Sequence, residues 1–345
     1  MSYINGNGNA NGAKPPNPQP EVLSANRLRK EYGSRMALKD LSFSLRAGRV
    51  MGFLGPNGAG KTTSIRILTT MLEPTSGYFL VDGISSKQPE QIRQKIGVLP
   101  EGMGLPKRVT GIEYLTYFGQ LYGRSASTAK ATSRELLKDV GMQNRGDSEM
   151  GSYSHGMRQR LGIARALVND PKVIFLDEPT LGLDPRGQKE LLSLIQRIAR
   201  ERNTGIVLCS HLLSEIEGIC DDVIIMSAGQ VVAKGTVAEV IGNTQLNVDQ
   251  RNTIRVRVPP TSIVQARQVL ESSPHVKQVM HVDETGGWVM VQLTDKASAD
   301  PATEANARNS ILAALIQVGI PIQGFESAGG RLQDVFLQLT AEAIQ

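Results

Sequence analysis

The stretch that decides the fold is MGFLGPNGAGKTTSIRIL, residues 51–68. An apolar run ends at Leu54, a glycine-rich segment follows from Gly55 to Thr63, and a helical segment carrying Ile65 and Leu68 comes next. The form G-x-x-x-x-G-K-[ST] between a strand and a helix is typical of a phosphate-binding loop. We therefore expect an α/β sheet with this loop at the carboxyl edge, where ligands bind in such folds.

Each part of this loop has a predicted contact with a nucleotide. The glycines let successive backbone N–H groups face the phosphates, and the start of the helix adds partial positive charge. Lys61 is expected to reach the β- and γ-phosphates, and the Thr62 hydroxyl is expected to bind Mg²⁺. The alternative, a turn that only caps a helix, is disfavoured by the order of strand, loop, Lys-Thr and helix. The predicted binding residues of the loop are Gly55, Pro56, Asn57, Gly58, Ala59, Gly60, Lys61, Thr62 and Thr63.

Composition narrows the class of protein. The 345 residues carry a formal net charge of +5, and 40% of them are hydrophobic, which is typical of a globular protein with two domains. Basic and acidic residues are interleaved, so no nucleic-acid partner is expected. No run reaches the roughly 20 apolar residues of a membrane span, and no secretory signal is recognised, so we expect a cytoplasmic protein. The two cysteines, Cys209 and Cys220, are predicted to be reduced and buried.

The chain divides into parts by pattern. Residues 1–20 are rich in Asn, Gly and Pro, which predicts a disordered tail. Residues 21–244 alternate short strands with longer helices, which predicts an α/β domain with a mainly parallel sheet. After a polar linker, residues 253–345 predict a small ferredoxin-like α+β domain of order βαββαβ with a last helix from Arg331. Its predicted strands are residues 253–258, 276–282, 287–293 and 321–325, and its predicted helices are residues 262–272 and 303–318.

Two adjacent carboxylates end the buried strand of VIFLDEPT, residues 173–180. Buried charges are costly unless cations or water satisfy them, so we predict that Asp177 holds Mg²⁺ and that Glu178 activates the attacking water. For Asp177 alone, a helix cap is the alternative. His211 ends the next strand, GIVLCSH, and is predicted to contact the γ-phosphate at the same sheet edge.

The segment SYSHGMRQRLGIARAL, Ser152–Leu167, resembles the signature motif of ATP-binding cassette (ABC) proteins. The resemblance implies a P-loop ABC-type domain whose residues Ser154 and Gly156, with His155 between them, face the γ-phosphate of a nucleotide held by a second copy. It therefore implies a homodimer that closes over ATP and Mg²⁺.

Three further positions resemble functional residues of the same family. Asp184 lies in GLDP, which resembles the D-loop at the dimer interface. Tyr32 resembles the aromatic side chain that stacks on adenine, with a packed strand tyrosine as the alternative. Glu101 stands where glutamine is common and is expected to contact Mg²⁺ or its water. This glutamate and His155, which replaces a glycine, are the departures from the common pattern.

The resemblance also implies partners and a place in the cell. Glutamate at position 101 and a C-terminal phrase like RLQDVFLQLT resemble a branch of bacterial exporter ATPases, which implies integral-membrane permease partners and a peripheral position on the cytoplasmic face. Residues of about 101–165 resemble the helical subdomain that receives the permease. Its aromatic side chains serve either that contact or the core, and they are Tyr114, Tyr117 and Phe118.

Two other functions stay open from the sequence. One is a soluble ABC ATPase acting on ribosomes or DNA, although such proteins usually carry two cassettes or a long coiled-coil insertion. The other is a regulatory ligand-binding role for the C-terminal domain, because fold alone does not decide function. The transported molecule is not readable from this chain.

Overall fold

The computed structural model describes residues 19–210, 212–243, 253–283, 286–294, 297, 301–328, 332, 335, 336 and 339. The larger unit alternates strands with helices, as predicted. Its strands are β1 (Glu21–Tyr32), β2 (Arg35–Arg46), β3 (Val50–Leu54), β4 (Ser76–Val81), β5 (Ile84–Ser85), β6 (Ile96–Leu99), β7 (Val173–Asp177), β8 (Gly205–Cys209), β9 (Asp222–Ser227) and β10 (Gln230–Thr236). Its helices are α1 (Lys61–Leu68), α2 (Pro89–Arg93), α3 (Gly111–Leu121), α4 (Ala126–Asp139), α5 (His155–Leu167), α6 (Pro185–Arg202), α7 (Leu213–Ile219) and α8 (Val237–Asn243).

One sheet runs through this unit in the order β5-β4-β1-β2-β10-β9-β3-β8-β7-β6. The strands from β9 to β6 pair in parallel, whereas β5, β4, β1 and β2 pair antiparallel. Strand β10 joins the two parts, antiparallel to β9 and parallel to β2. The predicted parallel sheet is therefore the half that carries the phosphate-binding loop, and the other half is antiparallel.

The parallel strands are apolar along their whole length because both of their faces are covered. In β7, Val173 and Phe175 enter one apolar cluster, while Ile174 and Leu176 enter another on the opposite face. Alternate side chains of a strand point to opposite faces, so a strand between two layers needs apolar residues at every position. Helix α1 contributes to the first cluster, and α5 and α6 contribute to the second.

The helical subdomain is built on α3 and α4. Helix α3 begins at a capping box, in which Thr110 Oγ1 accepts from the N–H of Glu113 and Glu113 Oε2 accepts from the N–H of Thr110. These bonds satisfy two of the donors that a helix N-terminus leaves unpaired. The predicted helices 112–122 and 129–140 are confirmed, with starts one and three residues earlier.

The aromatic side chains of α3 divide between core and surface. Tyr114 is buried in the main cluster, and Phe118 packs against that cluster with the guanidinium of Arg165 5.5 Å from its ring centroid. Tyr117 is 58% exposed. The core interpretation therefore holds for Tyr114 and Phe118, and only Tyr117 is left free for a contact with another protein.

A second, four-stranded sheet forms the smaller unit. Its elements are β11 (Thr253–Arg257), α9 (Ile263–Glu271), β12 (Val276–Asp283), β13 (Trp288–Leu293), α10 (Pro301–Gln317) and β14 (Gly324–Ala328). The antiparallel order β12-β13-β11-β14 places β13 between the two strands that α9 connects, which is the predicted split βαβ arrangement. The last strand begins at Gly324, three residues later than predicted. Pro321 has no N–H to give to a strand ladder, which accounts for part of this shift.

The described residues of the last predicted helix pack against the larger unit. Leu332 and Val335 are fully buried in the cluster that also contains Val223 of β9 and Val240 of α8, and not in the core of the smaller unit. Residues 332, 335, 336 and 339 are helical, as predicted, and the rest of that segment lies outside the described residues. The chain therefore returns to the larger unit after the smaller one.

Three further expectations concern the burial of the cysteines, membrane-spanning helices, and the predicted tail and linker. Cys209 is buried as predicted, whereas Cys220 is only partly buried. Within the described ranges, no helix combines the length and the apolarity that crossing a membrane requires. The predicted tail and the linker after residue 243 fall almost wholly outside the described residues, so they stay predictions.

Candidate nucleotide-binding site

The phosphate-binding loop lies between β3 and α1, where the sequence predicts it. Gly60 ends the loop with a φ of 105°, a conformation that favours glycine. A Cβ atom at Gly60 would also lie 2.9 Å from the carbonyl oxygen of Ala37. The N–H of Ser64 donates to the Gly60 carbonyl at 2.9 Å, which starts α1 directly behind the loop. The loop therefore needs glycine here for both backbone conformation and space.

Lys61 lies over the loop that precedes it. Its Nζ donates to the carbonyl oxygens of Gly55 and Pro56, the latter at 3.2 Å. These carbonyls hold the ammonium group at the loop, at the same place where the loop and the N-terminus of α1 attract an anion. The ammonium group of Lys61 is thus placed to donate to a phosphate oxygen instead of to the two carbonyl oxygens.

A pocket of about 300 Å³ opens beside Lys61. It joins the loop to the end of β1, where Tyr32 is 47% exposed and lies 5.4 Å, ring centroid to ammonium, from Lys30. The exposure of Tyr32 argues against the packed alternative, and its stacking on a base stays a prediction. The lining residues are Tyr32, Arg35, Ala37, Asn57, Gly58, Ala59, Gly60, Lys61, Thr62 and Thr63.

Arg35 and Ala37 are members of this pocket that the sequence reasoning missed. Arg35 is the direct cross-strand partner of Tyr32 in the hairpin between β1 and β2. The tight turn at Gly33, with a φ of 58°, was the signal that could have placed the two side chains together. Arg35 adds a positive charge to the rim of a pocket suited to a triphosphate.

The predicted polar residues meet because of the order of four strands. Strands β3, β8, β7 and β6 are neighbours and parallel, so their carboxyl ends lie along one edge of the sheet. The residues that follow these ends are Gly55, Ser210, Glu178 and Pro100. Glu101 follows Pro100 and is near enough to Asp177 to raise the pKa of its carboxyl group.

The electrostatics of Asp177 reflect this crowding. Its pKa is raised above the ordinary carboxyl value, first by burial and then by the negative charges of Glu101 and Glu178. The positive charges of Lys61 and Arg66 act in the opposite direction. A carboxylate that is half-buried among other carboxylates gains most from a nearby cation.

These residues fit the chemistry of Mg²⁺, which prefers oxygen ligands and retains water molecules. Thr62 supplies a hydroxyl, and Asp177 and Glu101 supply carboxylates at the same edge. Across the described part of the chain, no three His, Cys, Asp or Glu residues are grouped to hold a metal ion by themselves. An Mg²⁺ ion held by Thr62, Asp177 and Glu101 would complete its coordination with phosphate oxygens and water.

Glu178 follows Asp177 with an unusual backbone conformation. Its φ is 49°, which is rare and strained for a residue other than glycine. The N–H of Glu178 donates to the carbonyl of Cys209 at 3.0 Å, and its own carbonyl accepts from Leu181 at 3.2 Å. These two backbone hydrogen bonds hold the strained turn at Glu178 directly after the end of β7.

The loop after β8 is braced by a buried carboxylate that sequence reasoning missed. Ser210 Oγ donates to Glu215 Oε2 at 2.7 Å and accepts from the N–H of Leu212 at 3.0 Å. Glu215 is 4% exposed. The available sequence signal was an acidic residue within the partly apolar segment SHLLSEIE. His211, predicted to contact the γ-phosphate, lies outside the described residues, so its role stays a prediction.

The residues of the signature-like segment form the N-terminus of α5. Ser154 is the N-cap, and its Oγ accepts from the N–H of Met157 at 3.3 Å. His155 and Gly156 are the first two residues of the helix. None of these three residues is among those that line the pocket beside Lys61. The helix end carries partial positive charge, and it is separate from the phosphate-binding loop within one chain, so its predicted contact with a phosphate stays a prediction.

Asp184 is engaged in capping the following helix. Its Oδ1 accepts from the N–H of Gly187 at 3.0 Å, and Pro185 takes the first position of α6. Pro is well suited to that position because its missing N–H would be unpaired there in any case. Asp184 does not line the pocket beside Lys61, so its predicted interface role is not visible in one chain.

The fold and this site together define an ATP-binding cassette: a phosphate-binding loop after β3, two carboxylates at the end of β7 on the same edge of the sheet, and a separate helix N-terminus at Ser154. Comparison with known proteins agrees. The family model described as "ABC transporter" matches residues 38–181. The chain belongs to the family of ABC transporter ATP-binding proteins and is an ABC-type ATPase.

Several relatives with curated names are similar to this chain. It is 43% identical to the ABC transporter ATP-binding protein NatA of Bacillus subtilis over 58% of this chain and 82% of that protein. It is 32% identical to the daunorubicin resistance ATP-binding protein DrrA3 of Streptomyces coeruleorubidus over 93% of this chain and 96% of that protein. A solved structure of an ATP-binding subunit of an ABC transporter matches with a TM-score of 0.58 and 30% identity, over 66% of this chain and 95% of the other.

Proposed function

We propose that two copies of this ATPase close over two molecules of MgATP and couple their hydrolysis to export through separate membrane subunits. The observation that carries the proposal is the separation of two anion-binding positions within one chain. The pocket at Lys61 is open, and the helix end at Ser154–Gly156 is not part of it. A second copy brings its own helix end to the exposed γ-phosphate, which completes the site.

In the closed state, each phosphate group has a binding partner from this chain or its twin. Lys61 and the N–H groups of the loop bind the β- and γ-phosphates, and Tyr32 stacks on the base. The helix N-terminus of the second copy, with Ser154 and Gly156, binds the γ-phosphate from the other side. The nucleotide is thereby held between two rigid helix ends, which positions it for in-line attack.

Hydrolysis then needs a water molecule aimed at the γ-phosphorus. Glu178 accepts a hydrogen bond from this water and takes its proton as the new P–O bond forms and the β–γ bridge breaks. Thr62, Asp177 and Glu101 would hold Mg²⁺, which would supply positive charge to the phosphate oxygens. The strained turn at Glu178 supports this division of labour, because strained backbone is found preferentially at functional sites.

Export is the transport direction that the relatives favour. Two similar proteins that this chain matches over most of its length are named for resistance to daunorubicin and linearmycin. That extent of similarity favours a transporter subunit over an ATPase that acts on ribosomes or DNA. The exposed Tyr117 on the helical subdomain is the side chain that we expect to contact a permease, and the protein is then peripheral on the cytoplasmic face of the membrane.

The test is the oligomeric state of Glu178→Gln. Glutamine keeps the size of the side chain but does not take up the proton, so ATP stays bound and the closed dimer accumulates. Light scattering after gel filtration is expected to show a monomer without nucleotide or with ADP, and a dimer with MgATP. Continued hydrolysis at the parent rate would contradict the role of Glu178.

Two controls separate the parts of this proposal. Adding Lys61→Ala to Glu178→Gln removes the phosphate contact, so the dimer should no longer form. Glu135→Gln changes an exposed carboxylate on α4 and should hydrolyse ATP as the parent does. A Glu178→Gln protein that stays monomeric at saturating MgATP would refute the shared site.

A further inference from the structure

His155 joins the signature-like helix end to the loop that carries Glu178. Its Nε2 lies 2.7 Å from the carbonyl oxygen of Leu181. A carbonyl oxygen only accepts hydrogen bonds, so the hydrogen of this bond belongs to Nε2. Leu181 is hydrogen-bonded in turn to Glu178, since its N–H donates to the Glu178 carbonyl at 3.2 Å. Two hydrogen bonds thus connect His155 to the backbone of the predicted general base.

The two segments also pack closely around this bond. Gly182 has a φ of 77°, and a Cβ atom there would lie 3.4 Å from His155 Nε2. A Cβ atom at Gly156 would lie 3.5 Å from Leu183 Cδ2. The imidazole ring therefore lies against the backbone at Gly182.

A buried amide lies beside the ring from the next turn of α5, as a packing neighbour and not as a hydrogen-bond partner, because both of the nitrogen atoms that face each other carry hydrogen. Gln159 is 7% exposed, and its Nε2 lies 3.5 Å from His155 Nε2. Its Oε1 is buried and makes no hydrogen bond within the described part of the molecule. The ring is thus confined between Gln159 and the loop, so its orientation is restricted on two sides.

We propose that His155 is a positioning residue for ATP hydrolysis, which acts by fixing the loop of Leu181 and through it the backbone of Glu178. This inference rests on the proposed function. It differs from a direct phosphate contact by His155, because the ring nitrogen described above is directed to a carbonyl within its own chain. His155 thereby connects the N-terminus of α5, which would bind the nucleotide held by the second copy, to Glu178, which would act on the nucleotide held by its own chain.

The consequence is a change in turnover rather than in nucleotide binding. Without the hydrogen-bond donor, Leu181 loses its fixed partner and Glu178 occupies its productive position less often. Because one hydrogen bond of ordinary strength is at stake, we expect kcat to fall about three- to tenfold. The KM for ATP should stay within about twofold of the parent, since the pocket at Lys61 is unchanged.

The experiment compares His155→Leu with His155→Gln. Leucine has a similar size and no donor, whereas the glutamine amide places an N–H close to the position of the imidazole Nε2. We expect His155→Leu to show the lower kcat and His155→Gln to restore most of it. A control variant, His275→Ala, removes a histidine of the smaller unit and should hydrolyse ATP as the parent does. Melting temperatures verify that each variant is folded.

Binding and turnover are then separated in the Glu178→Gln background. There, His155→Leu should form the MgATP-dependent dimer at a nucleotide concentration within about twofold of that for Glu178→Gln alone. Normal kcat in His155→Leu, or a loss of kcat that His155→Gln does not restore, overturns the positioning role. A weakened dimer with unchanged kcat also overturns it and assigns His155 to phosphate binding. Absence of any ATP-dependent dimer in Glu178→Gln alone refutes the proposed function instead.

Discussion

Replacement of Gly156 by alanine is expected to have different effects on the stability of one chain and on the contact between two copies. Gly156 is the second residue of α5, and its φ lies outside the left-handed region. An added Cβ atom would meet one atom within 4 Å, Leu183 Cδ2, at an ordinary contact distance of 3.5 Å. The methyl group therefore fits the single chain, but it lies at the helix end that we place against the γ-phosphate of a second copy.

Gly156→Ala is expected to raise the stability of the single chain and to lower the rate of ATP hydrolysis. Alanine at a compatible helix position reduces the freedom of the unfolded chain and stabilises a protein by about 0.4–1 kcal/mol. For a domain of this size, such a gain raises Tm by roughly 1–4 °C. A methyl group forced into a tight contact costs about 1–3 kcal/mol, which corresponds to a roughly five- to 150-fold loss of ATP hydrolysis.

Calorimetry and steady-state ATP hydrolysis of the same preparation measure both effects. Gly218→Ala is the matched control, because Gly218 is a helical glycine with open space around its Cβ position. It should gain a similar stability and keep parent hydrolysis. A Gly156→Ala protein that is more stable and fully active would refute the placement of this helix end against a nucleotide. A fall in Tm would show that the packing argument for the single chain is wrong.

Two further predictions concern the pocket and the carboxylate edge. Lys61→Ala removes the ammonium group beside the loop and should abolish nucleotide binding, as measured by titration with a fluorescent ATP analogue; binding at parent affinity would contradict the phosphate-binding role. Asp177→Asn should stabilise the nucleotide-free protein at pH 7 to 8. The folded-state pKa of Asp177 is raised, so its carboxyl group contributes stability below the unfolded value and loses it as pH rises through the folded pKa. The Tm advantage of the variant should therefore shrink as the pH falls toward 4, and parallel Tm curves would argue against this cause.

The local parts of the site were predictable from the sequence because they depend on short segments. The phosphate-binding loop needs a strand, glycines and a helix start in sequence order, and residues 51–68 contain all of them. Both carboxylates follow a run of four apolar residues, and this change from apolar to charged residues marked the end of β7. Spacing likewise predicted α3 and α4 to within three residues, since helix faces and caps are properties of neighbouring residues.

Contacts between distant segments were harder to predict. Arg35 enters the pocket through the hairpin pairing of β1 with β2, and Glu215 braces the loop after β8 by its bond to Ser210. Leu332 of the last predicted helix leaves the smaller unit and packs with the larger one. Each of these depends on which side chains meet after folding, and alternation of apolar residues says only that a position is buried.

The sequence by itself determined that this chain contains an ATP-binding cassette, because the loop, the carboxylate pair and the signature-like segment are each complete within a few residues. The tertiary structure alone decided how they meet. The order β3-β8-β7-β6 differs from the order along the chain, and it brings Glu101, Asp177 and Lys61 to one edge of the sheet. It also decided that His155 binds the carbonyl of Leu181. The physical reason is that backbone geometry within a segment follows local residue types, whereas lateral strand order and loop contacts follow from packing the whole apolar core.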